Sequence, residues 1–105
     1  MADSKQAANA ETNPEDAFWR VADTFIGLAN EQATEIDRGV VSAGFSYASA
    51  RFNTFVIASQ CGNKEAFEAE KSAAIDYFVN QYRMALTEHV ADYQANFDKY
   101  ISNNA

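Results

Sequence analysis

The chain has 105 residues, which is enough for one domain with a modest core. Because 48% of its residues are hydrophobic and 13% are aromatic, it is too apolar to be a disordered protein. Its formal net charge of −7 disfavours a nucleic-acid backbone or an anionic membrane as partner, because both would repel it. Its single cysteine, Cys61, excludes an internal disulfide and a multi-cysteine metal site. The first residues lack a basic start followed by an apolar run, so we expect no signal peptide and a cytoplasmic protein.

The first helix has a clear start signal after a polar tail. Residues 1–13 are small, polar and aperiodic, and we expect them to be disordered. Asn13 is a suitable N-cap and Pro14 suits the first helical position. Apolar residues then recur at helical spacing as far as Ile36, and Gly39 is available for a left-handed cap. The pattern predicts a first helix from Pro14 to about Ile36.

The second predicted helix runs from about Val40 to Cys61 and stops at Gly62 and Asn63. Its apolar residues spread over more than one face, so it must be covered on more than one side. Arg51 is the one charged residue in 40–63. The segment contains too many serines and other polar residues for a lone membrane span.

The third predicted helix, from Lys64 to about Ser102, contains neither glycine nor proline. It carries the strongest periodicity in the chain, with steps averaging about 3.6 residues. The periodic residues are Ile75, Val79, Tyr82, Leu86, Val90, Tyr93, Phe97 and Tyr100. The fold class predicted is all-α, an antiparallel three-helix bundle (up-down-up) with a long C-terminal helix, formed by a single domain over residues 14–105.

Helix lengths and tight turns place Arg51 about level with Asp23 on the first helix and with Asp76 on the third. A buried unpaired charge is costly, so we expect a buried ion pair, with Asn53 and Gln81 completing the network. This reading makes the pair a structural device that fixes the helix register. The alternative is a ligand-binding or catalytic centre around Arg51.

When the helix lengths are compared in the same way, about sixteen residues at the end of the third helix, on the order of 24 Å, have no intrachain partner. The apolar residues of this overhang are Leu86, Val90, Tyr93, Phe97, Tyr100 and Ile101. Exposed apolar stripes mark interfaces, and a two-fold dimer is the commonest solution, so we expect a homodimer. A competing geometry breaks the helix near Thr87 and folds a short fourth helix back over the bundle.

No group of residues forms a recognisable catalytic, cofactor-binding or metal-binding signature. His89 lies between Glu88 and Asp92, which can tune an imidazole, but such residues on a helix surface are most often solvated. Bundle metal sites need a Glu-x-x-His pair on each of two helices, and this chain has none. Cys61 is most simply a small packed residue. The aromatic residues Trp19, Phe45, Tyr47, Phe52, Tyr77 and Tyr82 have the spacing of a core more than of a pocket.

Three segments carry a family resemblance: the stretch from Phe18-Trp19 to Asn30, the run from Ser42 to Val56 around Ala50-Arg51-Phe52-Asn53, and Ile75-Asp76-Tyr77-Phe78 with Gln81-Tyr82-Arg83. Together they resemble a family of small proteobacterial proteins that is classed as a domain of unknown function. The resemblance covers about residues 17–100. It implies a bacterial source and contributes no activity, cofactor or catalytic residue.

The function expected from these patterns is that of a non-enzymatic, self-associating helical module that docks a protein partner. The alternative is a small-molecule-binding module or a small enzyme that uses the polar cluster around Arg51. A third class, an acidic mimic of nucleic acid, rests on the negative charge alone.

Overall fold

A computed structural model describes residues 13–101, and every regular element in this range is helical. The elements are α1 (Pro14–Gln32), α2 (Arg38–Cys61), α3 (Lys64–Ala95) and the short α4 (Phe97–Tyr100). The predicted fold class, all-α with three long helices and the longest at the C-terminus, is confirmed. The predicted disordered tail lies outside the described residues, apart from Asn13.

Helix α1 starts where the sequence predicts and ends one turn earlier. The Asn13 side chain accepts a hydrogen bond from the backbone N–H of Asp16 at 2.8 Å, with Pro14 in the first turn. The helix ends at Gln32, so the predicted end near Ile36 is wrong. The Thr34 hydroxyl donates to the carbonyl of Glu31 at 2.8 Å, and such local bonds compete with helix continuation.

Helix α2 begins at Arg38, two residues before the predicted start. The carboxylate of Asp37 accepts a hydrogen bond from the backbone N–H of Gly39 at 2.9 Å, and the Asp37 carbonyl accepts from Val41 at 3.1 Å. Gly39 therefore lies in the first turn of α2, and its predicted role as a left-handed cap is wrong. Among the described residues, the left-handed backbone belongs to Gly62, with φ of 81°.

The turn between α2 and α3 consists of the two predicted residues. Gly62 donates its N–H to the carbonyl of Ala58 at 3.0 Å, and the side chain of Asn63 caps α3 by accepting from Ala66 at 2.8 Å. Helix α3 then continues for 32 residues, about 48 Å, and passes through Thr87 without interruption. The alternative break near Thr87 is wrong. The helix ends at Ala95, so the predicted end near Ser102 is wrong, and its C-cap Asn96 has φ of −125° and ψ of 31°.

The chain divides into two units, one ending at Phe52 and the other beginning at Asn53, with the boundary inside α2. In the first unit, the rings of Phe25 and Phe45 lie 6.3 Å apart. Because each is about ten residues from the α1–α2 turn, α1 and α2 run antiparallel. In the second unit, half-buried apolar residues occur on both helices: Val56, Ile57 and Cys61 of α2, and Ala66, Phe67, Ala74 and Phe78 of α3.

No side chain between residues 13 and 101 is buried. The large apolar residues of all three long helices are instead accessible to solvent, from Phe18 at the start of α1 to Tyr93 near the end of α3. The residues that approach burial in the first unit are mainly small ones, such as Ala22 and Ala29. The described helices thus present apolar side chains on their accessible faces.

Candidate interaction surface

Helix α3 carries apolar residues on two separate faces. Successive residues of an α-helix are rotated by about 100°, which places Phe67, Ala74 and Phe78 within about 40° of one another. These three residues are half-buried. A second apolar line, which includes Ile75 and Leu86, lies about 100° further round the helix. One face is therefore partly covered and the other is not.

We call the second line the α3 stripe, which consists of Ile75, Val79, Tyr82, Leu86, Val90 and Tyr93. Its side chains are between 46% and 62% exposed. They span about 80° of the helix circumference and, with 1.5 Å of rise per residue, about 27 Å of its length. Every residue from 79 to 95 is exposed, so the stripe stays accessible to the end of the helix.

Acidic side chains lie off the α3 stripe along its whole length. Measured around the helix axis from Leu86, Asp76 lies at about 80°, Asp92 at about 120° and Glu88 at about 160°. The stripe is bounded by Glu68, which lies on the same line about two turns before Ile75 and pairs with Lys64 at 3.9 Å. In a chain with a net charge of −7, this face has no carboxylate between its ends.

A group of four residues in contact, which we call the C-terminal clasp, forms where α3 ends: Asp92, Tyr93, Asn96 and Tyr100. The carboxylate of Asp92 accepts from the side chain of Asn96 and from the hydroxyl of Tyr100, both at 2.9 Å. The rings of Tyr93 and Tyr100 lie 4.4 Å apart at 35°. The clasp turns the chain at Asn96 and brings Tyr100 back over the last turn of α3.

The clasp raises the pKa of Tyr100 above its ordinary value of 10.0. The main cause is the hydrogen bond to Asp92, which the neutral hydroxyl donates and the phenolate would lose. Partial desolvation and the negative charge of Asp92 act in the same direction. The clasp therefore favours the protonated phenol.

The clasp separates the six residues predicted as a C-terminal interface into two groups. Leu86, Val90 and Tyr93 belong to the α3 stripe, whereas Phe97, Tyr100 and Ile101 follow the bend at Asn96 and leave the straight helical line. Phe97 and Ile101 are exposed, and Tyr100 is half-buried. Their role in an interface stays a prediction. The interface predicted from the sequence contains only the end of the helix and omits Ile75, Val79 and Tyr82, although these residues share its periodicity.

The residues predicted to form a buried ion pair are accessible. Arg51, Asp23 and Asp76 are exposed, and Asn53 is half-buried. Within the described residues, no ion pair joins Arg51 to Asp23. The pairing of Arg51 with Asp76, and burial of the pair in an assembled form, stay predictions.

The remaining candidates for chemistry do not come together as a site. Asp92 is engaged in the clasp, and no hydrogen bond joins it to His89 within residues 13–101. No group of three or more His, Cys, Asp or Glu side chains in this range is placed to hold a metal ion. Cys61 is half-buried near the α2–α3 turn. Trp19 packs edge-on against Phe18 at 4.9 Å and is exposed.

None of the helices in residues 13–101 combines the length and hydropathy needed to span a membrane. A family model described as "Protein of unknown function (DUF3144)" matches residues 18–94, most of the chain. The chain belongs to the DUF3144 family. The resemblance found in the sequence is thereby confirmed, and the DUF3144 match includes the whole α3 stripe.

A solved structure is similar to this chain over most of its length. It is described as the NMR structure of the protein NB7890A from Shewanella sp and is 38% identical to this chain. The match covers 88% of this chain and 98% of the Shewanella chain, with a TM-score of 0.68. No curated protein matches the chain. Membership of the DUF3144 family contributes no activity, because the family description names none.

Proposed function

We propose that this protein is a non-enzymatic helical module that self-associates as a homodimer through its accessible apolar helix faces, and that it presents the assembled surface to protein partners. One observation carries the proposal. Between residues 13 and 101 no side chain is buried, although large apolar residues occur along the length of each long helix.

The free-energy balance of folding supports association. Full burial of a Val, Leu, Ile, Phe or Met side chain contributes roughly 1.5–3 kcal/mol, while ordering one residue's backbone costs about 1–2 kcal/mol. Apolar side chains that stay half-exposed contribute only part of this stabilisation. A second copy that covers them supplies the missing burial, so we expect folding and association to be linked.

The lengths of the helices indicate where a second copy is needed. Helix α3 has 32 residues and α2 has 24, so α3 is longer by eight residues, about 12 Å. Helix α2 is therefore too short to cover the whole of α3. The residues of α3 past Thr87 include Val90 and Tyr93, which belong to the α3 stripe.

Analytical ultracentrifugation of the full chain across the micromolar range tests this proposal. We expect a sedimenting mass of two chains at high concentration, with dissociation on dilution accompanied by loss of helical circular dichroism. A monomer that keeps its full helical signal at every concentration would contradict the proposal, because its apolar faces would then be covered within one chain.

The compartment we propose is the cytoplasm of a bacterium. We propose a bacterial source because the similar Shewanella protein is bacterial. A chain with a single cysteine suits a reducing compartment. The negative net charge argues for a protein partner over a nucleic acid or an anionic membrane.

A further inference from the structure

We propose that two copies of this chain pair along the α3 stripe, with their α3 helices antiparallel about a two-fold axis level with Met84. This inference rests on the proposed self-association and specifies its interface. The stripe is a straight, accessible, apolar line on one helix, and a two-fold contact requires such a line to complement itself.

The spacing of the stripe selects the antiparallel register. Val79, Leu86 and Tyr93 are seven residues apart, and Ile75, Tyr82 and His89 form a second row with the same spacing. In antiparallel packing, each row lies against the other row of the second copy. With the axis level with Met84, Ile75 lies opposite Tyr93 of the second copy, Tyr82 opposite Leu86, and Val79 opposite His89.

Neighbouring registers bury fewer apolar residues. Sliding one copy by seven residues in one direction places Glu68 opposite Tyr93 of the second copy. The opposite slide places Leu86 opposite His89 and Ile75 opposite Tyr100, which lies past the bend at Asn96. The register centred on Met84 covers the stripe within the straight part of α3 and brings in one polar residue, His89.

The area of the stripe is close to what a stable interface needs. Six large side chains that are half-exposed leave roughly 100 Å² each, on the order of 600 Å² per copy. A standard specific interface buries about 800 Å² per partner. The flanking side chains of Arg83, His89 and neighbouring residues supply the difference.

Charge favours a second copy over an oppositely charged partner. The face within about 60° of Leu86 carries no carboxylate from Ile75 to Tyr93, so two copies meet there without opposing like charges from acidic side chains. Glu88 is closest to the two-fold axis among the acids of α3, but it points away from the interface by about 160°. The acidic side chains of α3 between Ile75 and Tyr93 therefore lie off the paired face.

Disulfide trapping in the full chain tests the register. In a Cys61→Ser background, Ile75→Cys and Tyr93→Cys chains are made separately, mixed, unfolded and refolded together under mild oxidation. Each variant's helicity is first checked by circular dichroism. Disulfides need Cα atoms within about 7 Å. Met84→Cys is the matched control, because it lies level with the axis but on the far side of α3.

We expect a disulfide dimer between the Ile75→Cys and Tyr93→Cys chains, little dimer from either chain alone, and none from Met84→Cys. In the antiparallel pair, two copies of position 75 lie about 27 Å apart along the helix axis, too far for a disulfide. Efficient linking of Ile75→Cys chains to each other would indicate parallel pairing and overturn the register. A dimeric mass with no cross-link at these positions would assign association to another face, whereas a monomeric mass would overturn the proposed self-association itself.

Discussion

Tyr100 and Asp92 form the most specific side-chain contact that the structure describes. The Tyr100 hydroxyl donates to the Asp92 carboxylate at 2.9 Å, and this bond raises the pKa of Tyr100. The folded state holds the phenol proton more tightly than the unfolded chain does. The hydrogen bond therefore stabilises the folded state fully below pH 10.0. It is lost as the pH rises through the pKa of folded Tyr100.

We predict that Asp92→Asn lowers the pKa of Tyr100 toward its ordinary value, because the variant removes the anion that opposes ionisation. The measurement is a pH titration of the tyrosine ring resonances by NMR, with Tyr100→Phe used to assign the signal. Glu88→Gln is the control, since it removes one negative charge a helical turn earlier. Identical Tyr100 titrations in the wild type and Asp92→Asn would show that the clasp does not form in solution.

The clasp also shows why some residues of the site were not predictable from the sequence. In the sequence, Asp92 stands out only as a neighbour of His89, and nothing marks Asn96, because the apolar periodicity continues through Phe97 and Tyr100. The bend depends on a bond between side chains eight residues apart. One local signal was present: Asn96 follows Asp92 by one helical turn, and asparagine side chains compete with helix hydrogen bonds.

At the scale of the elements, Gly62 and Gly44 provide a matched pair of glycines in opposite backbone environments. Gly62 has φ of 81° in the turn before α3, whereas Gly44 lies inside α2 with open space where a Cβ would be. We predict that Gly62→Ala lowers the free energy of unfolding by about 1–2 kcal/mol through left-handed strain. Gly44→Ala should raise it by about 0.5–1 kcal/mol through helix propensity.

Urea unfolding at a fixed protein concentration measures both variants, and the two add the same methyl group. A Gly62→Ala chain as stable as the wild type would mean that the turn relaxes into a right-handed conformation. Destabilisation by Gly44→Ala would instead indicate a close neighbour of α2 in the assembled protein.

The helix boundaries were predictable where a residue acts through its own backbone chemistry. Asn13, Pro14, Gly62 and Asn63 mark the ends that the sequence placed correctly, since caps and left-handed glycines are local signals. The end of α1 was misplaced because Ile36 continues the apolar spacing through a turn. There the hydroxyl of Thr34 and the carboxylate of Asp37 bind backbone groups, a competition that periodicity does not register.

At the scale of the whole molecule, the sequence does not predict which apolar faces are buried. Hydrophobic periodicity identifies which face of a helix is apolar, and it identified the stripe on α3. It does not identify whether that face is covered by the same chain or by another one. The Arg51 prediction depended on burial in one chain, and the structure places Arg51 at an exposed position.

Linked folding and association make thermal stability a measure of the interface. If two chains unfold as they separate, the melting temperature rises with protein concentration by mass action. We predict that Leu86→Lys, which places a charge in the middle of the α3 stripe, weakens association at least tenfold, about 1.4 kcal/mol, and lowers the melting temperature. Gln81→Lys adds the same charge on a different face of α3, about 140° from Leu86, and should leave both quantities near the wild type.

Differential scanning calorimetry at several concentrations compares the two variants. Equal losses would attribute the effect to the added charge and remove the stripe from the interface, while a loss confined to Leu86→Lys would assign the missing apolar burial to this face.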